Sequence, residues 1–306
     1  MKRKYSFPGI LLLLAGSITP AMAQNSPVTA GTVTMTVTAV AKKGVQPPPI
    51  NKDDVQLYRG KERVQVGDWR RGESLALAIM IDDSIDTSAG SNWKDLQSFI
   101  LAQPKSTLIS VMYARNGGAM VAQDFTNDHE LAANALRLPL GSEGAFSSPY
   151  LALLALMKRW PTAGERRSIM LISSGIDYFR GDFGPRSPDL DSTIARAQKQ
   201  NINVWTIYYP GAGHTSEAFF RVNNAQNNLS QLSQETGAES YYLGTLEPVS
   251  LKPYFDEIDT HLKNQYLLTF TGRGGKKGRL ERVRAVTEIP GVELLAPSEV
   301  FLPSSQ

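Results

Sequence analysis

Apolar and polar positions alternate along this chain in two rhythms, one short at both ends and one long between them. The centre of the pattern is Leu75 to Ile81, where Leu75, Leu77, Ile79 and Ile81 alternate with Ala76, Ala78 and Met80. Both faces of that run are apolar, which predicts a central strand of a parallel sheet covered by helices on each side. It stops abruptly at Asp82, Asp83, Ser84 and Asp86. Oxygen-bearing side chains thus gather at the carboxyl end of a buried strand, where open α/β sheets place their ligand sites. A polar turn capping the next helix is the plainer alternative.

Strand and helix patterns alternate from Ser74 onward. Trp93 to Ala102 predicts an amphipathic helix, and Thr107 to Tyr113 an apolar strand turning at Asn116-Gly117-Gly118 into Met120 to Phe125. Asn127 is placed to cap a helix through Leu138, and Ser148 one that has Pro149 at its first position and runs to Trp160. Ser168 to Ile172 is a second buried strand, ending in Ser173, Ser174, Gly175 and Asp177. Asp189 to Gln200, Gln226 to Thr236 and Leu251 to Lys263 are helical patterns; Val204 to Tyr208 and Ser240 to Leu243 are strands.

The ends are β-patterned. Thr32 to Thr38 predicts a half-buried strand with threonines on its open face, followed by a hairpin over Val55 to Val66. Tyr266 to Thr271, Arg279 to Thr287 and Val292 to Leu295 are antiparallel candidates. Neither end buries a core alone, so the two ends are expected to pair. The expected division is a signal segment at 1–23, an N-terminal β segment at 24–73, an α/β domain at 74–263 and a C-terminal β segment at 264–306. The α/β domain would then be inserted in a small β-sandwich-like domain. The glycine-rich basic stretch Gly272 to Gly278 lacks the following helix and the Lys-Ser/Thr pair of a phosphate loop, so it is a solvated hairpin tip.

Composition narrows the function classes. The start combines Lys2, Arg3 and Lys4 with the apolar stretch Ile10 to Leu14 and the exit Ala21-Met22-Ala23, which predicts a secretory signal cleaved near Ala23. Those three cations account for the whole net charge of +3, leaving 29 basic residues against 29 acidic ones. A neutral exported chain gives no reason for a nucleic-acid partner, and no later segment is apolar enough for an integral membrane protein. With 0 cysteines there are no disulfides or thiolate metal sites. The expected location is the bacterial periplasm or the cell exterior.

Together these features resemble the bacterial von Willebrand factor A-related exported proteins. The resemblance rests on INKDDVQLYRGKERVQV near the start, the apolar strand ending in Asp82-x-Ser84, the helix Leu229 to Glu235 with its Thr236-Gly237 turn, and Asn264-Gln265-Tyr266 leading into LLTF. It implies a von Willebrand A-like (Rossmann-like) α/β fold, with a mostly parallel sheet flanked by helices. It also implies a metal-ion-dependent adhesion site, in which hydroxyls and aspartates hold a hard cation with one position open to a partner's carboxylate.

The chain departs from that pattern at three places. Asp86 stands where a second serine belongs, Ser147 is the nearest hydroxyl to the usual threonine, and Ser174 replaces an aspartate, with Asp177 beyond it. Asp82, Ser84, Asp86, Ser147, Ser174 and Asp177 are therefore the candidate, degenerate metal set, for Mg²⁺ or Ca²⁺ bound weakly or not at all. Phe146, Tyr150, Tyr178 and Phe179 are the candidate partner-binding rim.

The enzymatic alternative is a cell-envelope hydrolase using Asp82, Asp83 and Asp86. It lacks a Gly-x-Ser-x-Gly elbow, and His129, His214 and His261 stand apart from one another in sequence. The expectation is a non-enzymatic adhesion or protein-binding module, its partner a protein of the cell envelope or exterior.

Overall fold

A computed structural model describes residues 31–41, 45–161, 163–180, 187–212, 219–241 and 248–304. The expected signal segment at 1–23 lies outside the described residues. Four strands come first: β1 (Gly31–Ala41), β2 (Val55–Arg59), β3 (Glu62–Val64) and β4 (Asp68–Arg71). The α/β block then opens with β5 (Leu75–Asp82), α1 (Trp93–Leu101), β6 (Thr107–Arg115), β7 (Gly118–Thr126) and α2 (His129–Asn134). It continues through α3 (Pro149–Met157), β8 (Arg166–Ser173), α4 (Pro188–Gln200) and β9 (Ile202–Tyr208). Its last elements are α5 (Phe219–Glu235), β10 (Ser240–Tyr241) and α6 (Lys252–Lys263). The chain ends in β11 (Gln265–Gly272), β12 (Arg279–Thr287), β13 (Val292–Leu295) and β14 (Glu299–Leu302).

The central sheet has the order β10-β9-β8-β5-β6-β7. Its strands run parallel except for β7, which turns back against β6. All eight residues of β5 are buried, because its side chains serve two cores. Leu75, Leu77, Ile79 and Ile81 pack with residues of α1, α2 and α6, while Ala78 and Met80 pack with residues of α3, α4 and α5. Period-two side-chain direction and helices on both faces explain why the run carries no polar residue until it ends.

The two chain ends pair as the sequence pattern predicts. β11 lies between β1 and β4, and β13 joins the far side of β1; a second sheet has the order β14-β12-β2-β3. Register places Met35 opposite Leu268 and Val37 opposite Tyr266. Those side chains share one core with Leu57, Trp69, Val283 and Leu302 from both sheets. Trp69 stacks on Tyr266 at 4.4 Å and donates its indole N–H to the Ile50 carbonyl at 2.9 Å.

Several local expectations are corrected. β1 is open on only half of its threonine face, since Thr32 and Thr34 are exposed while Thr36 and Thr38 are fully buried. The buried half docks on the α/β block, where the Thr36 N–H donates to Asn201 Oδ1 at 2.8 Å. The second helix is capped by Asp128 rather than Asn127 and ends at Asn134, because the Asp128 carboxylate accepts from the Glu130 and Leu131 N–H groups. α5 starts at Phe219, ahead of the expected Gln226. Strands β4 and β14 are additions to the predicted set.

Polar contacts at the junction sit at the amino ends of the central strands. Gln265 Nε2 lies 3.4 Å from both Ser168 Oγ and Asn203 Oδ1, and Arg166 donates to the Leu262 carbonyl at 2.6 Å. Arg70 of β4 pairs with Glu165 just before β8 at 2.7 Å. The terminal sandwich therefore sits at one end of the central sheet and leaves the carboxyl-end loops to solvent.

Hydrogen bonding by Arg70 and by the Glu73 N–H holds the Glu165 carboxyl down at about 2, from its ordinary 4.5. A depressed carboxylate contributes stability above its unfolded value and loses it as pH falls through the folded one. Both partners are more than a third exposed, so the contribution is small. Glu165→Gln should lower the urea midpoint slightly at neutral pH, and the gap from wild type should close between pH 4.5 and about 2. A gap that stays constant across that window would show that the pair contributes nothing through its charge.

Candidate functional site

β5 and β8 are neighbours, yet the chain leaves them in opposite directions, toward β6 and toward β9. This is the topological switch point of the sheet, with a crevice outside the strand ends. Asp82 closes β5 and Ser173 closes β8. One Asp82 oxygen accepts from Ser84 N–H at 3.0 Å and Ser84 Oγ at 2.8 Å; the other accepts from Ser173 Oγ at 2.6 Å. Ser173 Oγ in turn accepts from the Gly175 N–H at 2.9 Å. Burial pushes the Asp82 carboxyl above its usual range, against the pull of these hydrogen bonds.

The neighbouring carboxylates have other tasks. Asp83 takes a two-pronged ion pair from Arg137 at 2.7 and 2.8 Å, with Arg137 laid over the Tyr113 ring at 3.6 Å. Asp86 caps the 3₁₀ turn Thr87–Asn92 by accepting from the Ser88 N–H at 2.9 Å. Asp177 accepts from the Arg180 N–H at 2.9 Å and from Ser187 Oγ at 3.4 Å. Ser174 Oγ accepts from the Ile176 N–H at 3.4 Å. Ser147 joins two loops through its backbone, its carbonyl accepting from the Phe179 N–H at 2.9 Å.

The segment after β9 closes over this centre. Asp86 N–H donates to Pro210 O at 3.1 Å, and Ala212 N–H donates to Ser84 O at 3.0 Å. Gly211 lies between them. A methyl group there would stand 3.2 Å from the Tyr178 hydroxyl, 3.7 Å from Ser84 O and 3.8 Å from Ser174 Cβ. Asp82, Ser84 and Ser174 are accordingly 1, 2 and 0 % exposed. Asp82, Ser84, Asp86, Ser174 and Asp177 thus hydrogen-bond to one another or to their own turns, and the Gly211 backbone packs over Ser84 and Ser174. The donor set does not fit a cation with an open position.

Of the four aromatic rim candidates, two stand at the surface. Phe146 and Phe179 meet edge to face at 5.4 Å and are 57 and 39 % exposed. Tyr178 is half-buried beside Gly211. Tyr150 does not belong to the rim: it is fully buried in the core shared by α3, α4 and α5, and its hydroxyl donates to Gly175 O at 2.9 Å. Its position on the first turn of α3 turns it inward under the loop.

Sequence reasoning passed over Ser173 in favour of Ser174. Strand register carries the missing signal, because Ile81 pairs with Ile172 and the next residues along are Asp82 and Ser173.

No protein-family model matches this chain, and no curated protein does. Solved structures similar to it include a von Willebrand factor type A protein from Catenulispora acidiphila, 12% identical with a TM-score of 0.44 over 92% of this chain and 76% of that one. An aerotolerance-related membrane protein from Bacteroides fragilis is 13% identical with a TM-score of 0.44, over 62% of this chain and 98% of that one. The SpRpn10 VWA domain is 14% identical with a TM-score of 0.42, over 61% of this chain and 95% of that one. The chain is an α/β protein with a mostly parallel central sheet flanked by helices, and with extra sheets built from its two ends. No helix among the described residues is long and apolar enough to cross a membrane.

Removing Arg137 leaves the Asp83 charge buried with Arg115, 3.9 Å away, as the one remaining ion-pair partner among the described residues. Arg137→Ala should therefore destabilise the protein by about 2–3 kcal/mol. The double variant Asp83→Asn/Arg137→Ala should regain part of that loss, because no charge is then stranded. Denaturant unfolding of the three proteins checks this; additive losses would rule out the coupling.

Proposed function

We propose that this protein is an exported, non-enzymatic module that binds a protein partner through its carboxyl-edge loops without a divalent cation. The observation that carries the reading is a group of exposed apolar side chains around the closed polar centre. Phe146 and Phe179 form a pair there. Phe219 and Phe220, 76 and 49 % exposed, begin α5 beside Arg221, whose guanidinium lies over Tyr178 at 5.3 Å. Leu138 and Leu140 stay exposed on the loop against Gly90 and Thr87. Clustered exposed aromatic and aliphatic groups are a common mark of a protein interaction site.

The same geometry weighs against hydrolysis. Asp82 and Asp83 are each 1 % exposed and hydrogen-bonded or ion-paired, and Asp86 is held in its cap, so none presents an acid to a substrate. The closed centre beneath Gly211 supports the metal-free reading, and the basic-apolar start of the chain supports export.

Phe146→Ala/Phe179→Ala should abolish capture of the partner from cell-envelope extract while the melting temperature shifts by only a few degrees. Capture by wild type should persist in EDTA. A folded double variant that still captures moves the binding face elsewhere, and capture lost in EDTA overturns the metal-free reading. Turnover of generic esterase, glycosidase or phosphatase substrates would restore the hydrolase.

A further inference from the structure

Away from those loops, α6 and the edge strand β10 bring one imidazole and two carboxylates together. Glu257 and His261 stand four residues apart on α6, so they share one helix face. Glu239 comes from the turn that leads into β10. One ligand atom from each lies within 4.8 Å of the others, and His261 Nδ1 is 3.7 Å from Glu239 Oε2. Around a zinc ion, ligand atoms at about 2.1 Å in a tetrahedron stand roughly 3.4 Å apart. The His261–Glu239 pair is already close to that spacing, and Glu257 needs only a small side-chain turn to complete it.

The imidazole is fixed in place. It is 7 % exposed and stacks on Trp205 with ring centres 5.4 Å apart. The Tyr241 hydroxyl stands 3.1 Å from His261 Nδ1 and 3.4 Å from Glu239 Oε2, so it is able to stay on the carboxylate when the nitrogen is taken. A cavity of about 240 Å³ lies against Glu257 and His261, walled by Val40, Val45 and Pro47. Glu293 of β13 lines an adjoining cleft with Glu239.

We propose that Glu239, Glu257 and His261 hold one first-row transition-metal dication, Zn²⁺ by preference, with a fourth position open to water beside the cavity. One imidazole and two carboxylates form a borderline donor set that suits zinc better than Mg²⁺ or Ca²⁺, which take oxygen alone. Three protein ligands and one open position are the usual arrangement of a non-structural zinc.

The test is titration of the full, tag-free protein with Zn²⁺ by calorimetry and by thermal unfolding. One equivalent should bind saturably and raise the melting temperature by several degrees. Glu239→Gln/Glu257→Gln should weaken binding roughly tenfold or more and abolish the thermal shift. Should the double variant fail to fold, Glu257→Gln alone, at a half-buried helix position, serves in its place. Excess Mg²⁺ should not displace the zinc. Wild type without saturable uptake, or a folded variant of undiminished affinity, overturns the site; displacement by Mg²⁺ overturns the choice of metal.

Discussion

The Asp82 carboxylate, enclosed at the meeting point of β5 and β8, is the constraint on which the carboxyl edge depends. An ionisable group taken out of water is costly unless its lone pairs are filled. Here Ser84 supplies two donors and Ser173 a third, so the strand ends are tied through one side chain. The exit of β9 must then pass over the pair, and it does so as backbone, Pro210 and Ala212 bonding to Asp86 and Ser84. Gly211 suits the crossing because a side chain would press on the Tyr178 hydroxyl. Each of these features follows from keeping that carboxylate dry and satisfied.

The opposite end of the sheet is organised by a different balance. β1 is apolar on one face and threonine-lined on the other; the first is covered by the sandwich core and the second, at Thr36 and Thr38, by the α/β block. Thr36 and Thr38 hydroxyls are left without a hydrogen-bond partner among the described residues. That cost is accepted where β11 carries Gln265 into the amino ends of β8 and β9 and where Arg166 and Arg71 reach the last carbonyls of α6. Polar groups thus take part in joining the sandwich to the sheet, while Leu138, Leu140, Phe146, Phe179, Phe219 and Phe220 stay exposed at the far end.

Much of this was legible in the sequence wherever one period dominated. The two-sided apolar run of β5, the Ser148-Pro149 start of α3 and the pairing of the chain ends all follow from pattern and capping chemistry. Two strands were not. β4 reads DWRR because only Trp69 points inward from a sheet edge, and β14 is a four-residue strand following Pro297 and Ser298. The site was half legible. Asp82 and Ser84 are recognisable as a strand-end cluster, but Asp86 and Asp177 look like ligands in sequence and act as turn caps in space. A carboxylate beside free backbone N–H groups often fills them first, and sequence spacing does not say which use prevails.

The two polar centres show how local closure decides what a group of oxygen ligands does. At the switch point the Ser84 and Ser173 hydroxyls face Asp82, and backbone passes over the group. Around Glu239, Glu257 and His261 the carboxylates face one another, with a phenol between them and a cavity alongside. Neither His261 nor the glutamates belong to a motif, because they come from a helix and a strand edge that only the fold brings together. The i, i+4 spacing of Glu257 and His261 was visible, yet it is common on solvated helices and gains meaning only with Glu239 opposite. On the reading proposed above, a sheet whose strand-end centre is closed binds through apolar contact at that edge, and the proposed cation lies on the flank, where unlike ligands converge beside an open groove.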